Sequence, residues 1–247
     1  MFAQAQQCAE LIVNAQSIGV LTGAGISTNA GIPDFRGPKG LYVTRKYDPD
    51  KVFDIGHFLI DPSIFYEFAR DFVGLEQTLR PTVAHRFLAA LEEKGELKGI
   101  VTQNIDSLHH KAGSKNIYEM HGSFWQNHCL ECNEEFSYET LKAMLKMPGV
   151  PKCTCGGVIK PDVVFFGENV KCLHESSQLA EESDLFFVIG SSCVVYPAAM
   201  IPTLTRGKVI IVNKGDIHLN VHNIALTVDD DIDGFFALLA KELKVEI

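Results

Sequence analysis

The chain has no apolar run of about 18 residues, the length a membrane-spanning helix needs. Residues 1–10 hold no charged region followed by an apolar one, and no arginine, so neither a secretory signal nor an organelle presequence is expected. The expected compartment is the cytoplasm. An excess of basic charge is also missing. With 22 Lys and Arg against 31 Asp and Glu the net charge is −9, which argues against a groove that follows a phosphate backbone. Direct nucleic-acid binding is therefore not expected, and an acidic surface weakly favours basic partners such as lysine-rich segments. There is no internal repeat and no low-complexity tract. A chain of 247 residues buries roughly three quarters of its unfolded surface and needs no disulfide staples.

What is present alternates. Short, continuous apolar runs at 18–21, 99–102, 185–189 and 209–212 read as strands buried on both faces. Helical periods stand between them: 4–16, a segment starting near Pro81 with Val83, Phe87, Leu88 and Leu91 on one face, 197–205 and 232–243. This order predicts an α/β fold with a doubly wound parallel sheet. Two segments break it. Residues 38–80 carry a helix with Asp61 as N-cap and Pro62 at its first position. Residues 123–160 carry close cysteine pairs and a short helix near 141–146. The expected division is a Rossmann-like nucleotide-binding domain from 1–37, 81–122 and 161–247. A smaller module would combine the helical insertion 38–80 with a zinc-binding insertion 123–160.

The first run leads into Leu21-Thr-Gly-Ala-Gly-Ile-Ser-Thr-Asn-Ala-Gly-Ile-Pro-Asp-Phe-Arg-Gly37. It starts as a dinucleotide-binding turn, with Gly23-Ala24-Gly25, but does not open directly into a helix. The third glycine, Gly31, is late, and Pro33 and Asp34-Phe35-Arg36 follow. Gly23 and Gly25 let backbone approach a phosphate, and Arg36 can add a charge-assisted contact. Gly23-Ala24-Gly25 alone equally suits a tight turn with no ligand. The longer segment makes that less so.

Four of the seven cysteines form two pairs, Cys129-x2-Cys132 and Cys153-x-Cys155, 20 residues apart. Such knuckles suit a tetrahedral structural zinc with four sulfur ligands, closed to chemistry. The second pair is one residue shorter than usual, and His128 beside Cys129 offers another ligand. Cys8, Cys172 and Cys193 read as packing residues. Thr102-Gln103-Asn104-Ile105-Asp106 follows the second strand, at the carboxyl end where open α/β sheets bind ligands. Asp106 also suits the N-cap of the next helix. His121, before Gly122 at another apparent strand end, is placed for general-base work or for a structural role. Val163-Val164-Phe165-Phe166-Gly167-Glu168 reads as a core strand whose exposed end can pair with an extended peptide. Gly190-Ser191-Ser192 and Asn213 follow buried strands, where ribose or phosphate contacts are made.

Together these motifs resemble the sirtuin family of NAD-dependent protein-lysine deacylases, with bacterial and archaeal members most similar. They stand in the family's order from residue 20 to about 215. The resemblance implies NAD as co-substrate, split at the nicotinamide–ribose bond, with the acyl-lysine carbonyl oxygen attacking the ribose carbon. It implies one structural zinc on Cys129, Cys132, Cys153 and Cys155, and acetyl-lysine proteins or peptides bound as an extended strand. Phe35 would shield the ribose face, Arg36 would contact phosphates, and His121 would act as base on a ribose hydroxyl. Asn104 and Asp106 would hold ribose and nicotinamide carboxamide. The cofactor site would also take in Gly23, Ala24, Gly25, Thr28, Asp34, Gln103, Ile105, Gly190, Ser191, Ser192, Asn213, Lys214 and Asp231. Val163, Val164, Phe166, Gly167, Glu168, Val194 and Val195 would meet the acyl group and peptide.

Family members that remove succinyl or malonyl groups carry Tyr-x-x-Arg in the helical insertion. Here the spacing is Tyr66-x-x-x-Arg70, which rotates the arginine by about 100° on a helix and points to acetyl or other neutral acyl groups. ADP-ribosyl transfer to protein uses the same NAD cleavage and stays open as an alternative. A dehydrogenase fits less well, because no clear acidic residue follows the loop after a second strand.

Overall fold

The structure is a computed structural model, and it describes residues 1–32, 47–76 and 78–247. The expectations for Asp34, Phe35 and Arg36 lie outside the described residues.

The continuous apolar runs become a parallel sheet. Its strands are β1 (Ile18–Thr22), β2 (Leu97–Thr102), β3 (Ile117–Glu119), β7 (Leu185–Ile189), β8 (Lys208–Asn213) and β9 (Ile224–Asp229). A second, three-stranded sheet takes β4 (Gly122–Cys129), β5 (Glu135–Ser137) and β6 (Ile159–Val163). In the six-stranded sheet the order is β3-β2-β1-β7-β8-β9, with every neighbouring pair parallel. Counted along this sheet alone, that is the 3-2-1-4-5-6 order of doubly wound nucleotide-binding folds. Successive strands are added outward in one direction from β1 to β3 and in the other from β7 to β9, so the strand order reverses between β1 and β7.

Side chains alternate across the sheet, so each strand feeds two cores. Ile18 and Val20 of β1, Leu185, Phe187 and Ile189 of β7, and Ile210 and Val212 of β8 face one layer. That layer is closed by the helices Phe2–Val13, Val83–Glu93 and Ile232–Leu243. Leu21, Phe186, Val188, Val209 and Ile211 face the other, packed on Leu179, Ala180, Ala198, Ala199 and Ile201. Burial on both faces explains why these strands read as unbroken apolar runs.

The two insertions share a third core. Phe53, Phe58, Phe65 and Phe68 come from the helical insertion, and Phe124, Leu141, Ile159 and Phe165 from the chain around the cysteine pairs. Phe65 is central: its ring lies 5.5 Å from Phe58, 5.0 Å from Phe165 and 6.1 Å from Phe124. Edge and offset contacts of this kind add to area burial.

Three expectations shift slightly. The helix in the first insertion runs Ser63–Glu76, one residue later than expected, and the Asp61 carboxylate accepts from Ser63 N. The expected helix over 197–205 divides into a 3-10 turn Ala198–Met200 and a helix Ile201–Leu204. Pro202 near its start has no N–H to continue a longer helix from before it. Cys8 and Cys193 are buried, as packing residues should be, but Cys172 is half-buried with φ +49° at the start of the helix Leu173–Glu182.

Candidate active site

The carboxyl ends of β1 and β7 meet at glycines. Gly23 N donates to Ile189 O at 3.0 Å and Gly25 N to Gly190 O at 2.8 Å. A Cβ on Gly25 would stand 2.7 Å from Gly190 Cα, and one on Gly190, with φ +62°, 2.3 Å from Ile26 N. Backbone lies against backbone, so no side chain fits. The chain then winds as a 3-10 helix, Ala24–Ala30, rather than an α-helix, and ends at Gly31 with φ +98°. This opens a crevice at the reversal of strand order, where such sheets bind nucleotides.

From β2 comes the segment Gln103–Asp106. Thr102 Oγ1 takes Asn104 N at 3.1 Å, and Asn104 Nδ2 donates to Gly23 O and to Ser27 Oγ, each at 3.2 Å. Ser27 Oγ donates to Asp106 Oδ2 at 2.6 Å, and Leu108 N donates to Asp106 Oδ1 at 2.9 Å. Asp106 thus holds the first N–H of the helix Leu108–Ala112 from one residue before its expected place: the N-cap position itself is taken by Ser107, whose side chain makes no capping bond. Burial pushes its carboxyl above the ordinary value, while Ser27 and Leu108 N–H favour the ionised form. Ser27 was not among the expected site residues. It follows Gly25 by two and is 1% exposed; a hydroxyl sealed at a phosphate-type loop was the available signal.

His121 follows β3. Its Nδ1 lies 2.9 Å from Gln103 O. A carbonyl only accepts, so Nδ1 carries the proton and Nε2 keeps its lone pair. Burial lowers the imidazole pKa below the ordinary 6.5, which keeps the ring neutral. Gln103 Nε2 in turn donates to Ser191 Oγ at 3.0 Å, tying β2 to the Gly190–Ser192 loop. A neutral imidazole, a buried carboxyl and an amide thus stand on the segments that follow β2 and β3, linked through Gln103 and Ser27. This set can hold a polar ligand and accept a proton at Nε2.

Beneath them lies a second polar layer. Thr22 Oγ1 donates to Thr102 Oγ1 at 2.9 Å and contacts His109 Nε2 at 3.0 Å. The rings of His109 and His85 are 4.6 Å apart. Burial lowers both imidazoles, His85 to about 3.

The remaining expected residues are more scattered. Ile105 packs toward the aromatic core of the insertions. Thr28 Oγ1 donates to Gly25 O, and the Ser192 carbonyl accepts from His218 N. Asn213 ends β8 with Nδ2 on Gly215 O, and Lys214 beside it is exposed. Asp231 caps the helix Ile232–Leu243 through Gly234 N and holds Asn29 Nδ2 at 3.0 Å.

Val163–Glu168, expected as a core strand, leaves strand β6 at Val163 and turns at Gly167, running beside His121. Val164 N donates to His121 O, Phe166 N to Phe53 O, and Ile55 N to Phe166 O. Phe166 is nevertheless 47% exposed, and Gly167 has φ +94°. Val194 and Val195 are half-buried in the loop after Cys193.

The four expected cysteine sulfurs converge. All lie within 4.8 Å of one another, with Cys129–Cys155 at 3.5 Å and Cys132–Cys153 at 3.6 Å. Sulfurs about 2.3 Å from one zinc sit about 3.8 Å apart in a tetrahedron, so the residues fit the metal. Backbone N–H groups of Glu131, Cys155 and Gly157 donate to Cys129, Cys153 and Cys155, which stabilises thiolates. The shorter Cys153-x-Cys155 pair closes the site all the same, and His128 is not part of the group.

The Sir2 family profile matches residues 23–197. The chain belongs to the Sir2 family. It is 44% identical over 213 residues to an NAD-dependent protein deacetylase of Thermotoga maritima, covering 84% of this chain and 85% of that one. It is 44% identical over 220 residues to that of Saccharolobus solfataricus, covering 87% of each. A Sir2 structure with a deacetylated peptide and 3′-O-acetyl-ADP-ribose superposes with TM-score 0.91 at 38% identity, over 98% of this chain and 100% of that one. A second, bound to a propionylated peptide, gives TM-score 0.88 at 35% identity over 98% and 100%.

Within this Sir2 fold, Tyr66 and Arg70 are already engaged. Tyr66 is buried and its hydroxyl donates to Ile159 O. The Arg70 guanidinium donates to the carbonyls of Tyr66, Leu145, Met147 and Gly149. It clamps the helix Ser63–Glu76 to the end of the helix Tyr138–Leu145.

Proposed function

We propose that this chain removes acetyl or other neutral acyl groups from protein lysine side chains, with NAD as co-substrate. The observation that carries the reading is the hydrogen-bonded set after β1 and β2, in which Asn104 bonds Gly23 O and Ser27, Ser27 bonds Asp106, and His121 Nδ1 rests on Gln103 O. NAD supplies an electrophilic ribose carbon and nicotinamide as leaving group; with one water consumed, the products are nicotinamide, free lysine and O-acyl-ADP-ribose.

The chain's own residues supply the rest. Asn104 and Asp106 hold the ribose and carboxamide, each pre-oriented by Ser27. His121, kept neutral by burial, takes a proton at Nε2 from a ribose hydroxyl. Gly190, Ser191, Ser192, Asn213 and Lys214 face the adenosine half. Val164, Phe166, Gly167, Val194 and Val195 take the acyl-lysine and its flanking backbone as an added strand. Excluded water favours a charged ribosyl centre.

A neutral acyl group fits because Arg70 and Tyr66 point their polar atoms at backbone carbonyls, leaving neither to read a carboxylate. One zinc on Cys129, Cys132, Cys153 and Cys155 holds the three-stranded sheet to its loops. The division at 1–37, 81–122 and 161–247 against 38–80 and 123–160 is supported by the separate aromatic core of the insertions, although that core also draws in Val163 and Phe165 and packs against Ile105. A cytoplasmic location is supported by the cysteine pairs, which favour metal over disulfide in a reducing compartment, and by the lack of any helix among the described residues able to cross a membrane.

The test is turnover of an acetyl-lysine peptide with NAD labelled in the adenosine. Label in O-acetyl-ADP-ribose supports the reading. Label retained on protein, or no nicotinamide release, overturns it.

A further inference from the structure

Lys160 stands on β6, opposite His128 of β4, and its side chain is 4% exposed. Burying an ammonium is unfavourable unless every proton is paired. Its three donors meet three acceptors: Val163 O at 2.9 Å, Glu168 Oε2 at 2.9 Å and Pro161 O at 3.3 Å. Nζ also sits 4.3 Å from the centre of the Phe165 ring. Glu168 Oε2 takes Phe165 N at 2.8 Å, and Glu168 N donates back to Phe165 O.

One ammonium thus draws both ends of the turn 163–168 to a single point, the carbonyl of 163 and the carboxylate of 168. The side chain of Phe166, at the tip, has no such anchor and stays half exposed. An apolar residue at position 160 would fill the same core space but remove the ammonium from Val163 O and leave the Glu168 carboxylate with Phe165 N alone of these two donors.

We propose that Lys160 is a positioning residue for peptide capture, fixing the turn 163–168 in the shape that receives the acyl-lysine strand. It acts through Glu168 and Val163 O and touches neither the crevice residues nor the four cysteines. The inference rests on the reading of this turn as the peptide edge.

The test varies acetyl-peptide at saturating NAD, then NAD at saturating peptide, for wild type, Lys160→Met, Lys160→Arg and Glu168→Gln. Lost charge-assisted bonds predict that Lys160→Met raises peptide KM about tenfold or more, with NAD KM within about twofold of wild type. Lys160→Arg keeps charge and donors and restores peptide KM to within about threefold, and Glu168→Gln adds little to Lys160→Met because the pair acts as one unit. If Lys160→Met does not fold, Glu168→Gln alone must still raise peptide KM and spare NAD KM. An unmoved peptide KM, or peptide and NAD KM rising together, overturns the inference. A wild type inert toward acetyl-peptide overturns the deacetylase reading and this inference with it, whereas an active wild type with an unmoved variant overturns only the role of Lys160.

Discussion

Ser27 Oγ donates to Asp106 Oδ2 across 2.6 Å, and both side chains are buried. The 3-10 segment and the loop after β2 are joined there by one charge-assisted bond. Such bonds contribute about 1.5–3 kcal/mol, so Ser27→Ala should cut kcat/KM for NAD about ten- to 150-fold. Nicotinamide release at varied NAD checks this, and a change below threefold would sink it.

Asp106 also makes a stability prediction. Burial raises its carboxyl in the native state. The native chain then holds that proton more readily than the unfolded one, so stability falls as pH rises from the ordinary carboxylate value of 3.8. Asp106→Asn keeps the shape without the charge. It should melt at or above wild type at pH 7, with the difference closing toward pH 3, while activity is lost. Thermal melts across that range are the measurement.

The pH profile of kcat/KM should report His121. Its imidazole is lowered by burial, so the basic form prevails above a pKa below 6.5. The acid limb should therefore have its midpoint below pH 6.5 with a flat region above. His121→Ala should abolish nicotinamide release and spare the fold, as judged by circular dichroism.

His85 and His109 predict acid sensitivity. Both are neutral in the native state because of burial, His85 with a pKa of about 3. Unfolded histidines bind protons from about pH 6.5 downward, so stability falls with pH from there at up to about 1.4 kcal/mol per pH unit for each. Urea unfolding at pH 7.5 and 5 should show it. In His109→Gln the loss should be smaller, and an equal loss would exclude His109 as a source.

The zinc site should be structural alone. Cys153→Ser or a strong chelator should take zinc from one per chain toward none and lower the melting temperature, since metal binding here is folding free energy. Metal content and melting are read together. Loss of metal with an unchanged melt would contradict the role.

The sequence showed the fold where physics was local. The helix Ile232–Leu243 was legible to both ends, because Asp231 caps it and its apolar face is regular. The edge strand β9 was not. Only Leu226 and Val228 are buried in it, so it lacks the unbroken apolar run of its inner neighbours. Of the proposed site, His121, Asn104 and Asp106 follow strands that the sequence made readable. Ser27 did not, because its importance comes from Asp106, 79 residues away. Likewise Arg70 showed a shifted spacing in sequence, but only folding brings it to carbonyls near Leu145 and Gly149.

The contact of Gly23 and Gly25 with Gly190 bears on how mutational scans of this chain are scored. Any side chain there pushes β1 from β7 before it reaches a ligand. Inactive variants at these three positions therefore report on assembly of the sheet, and only those that keep native melting separate nucleotide contact from architecture.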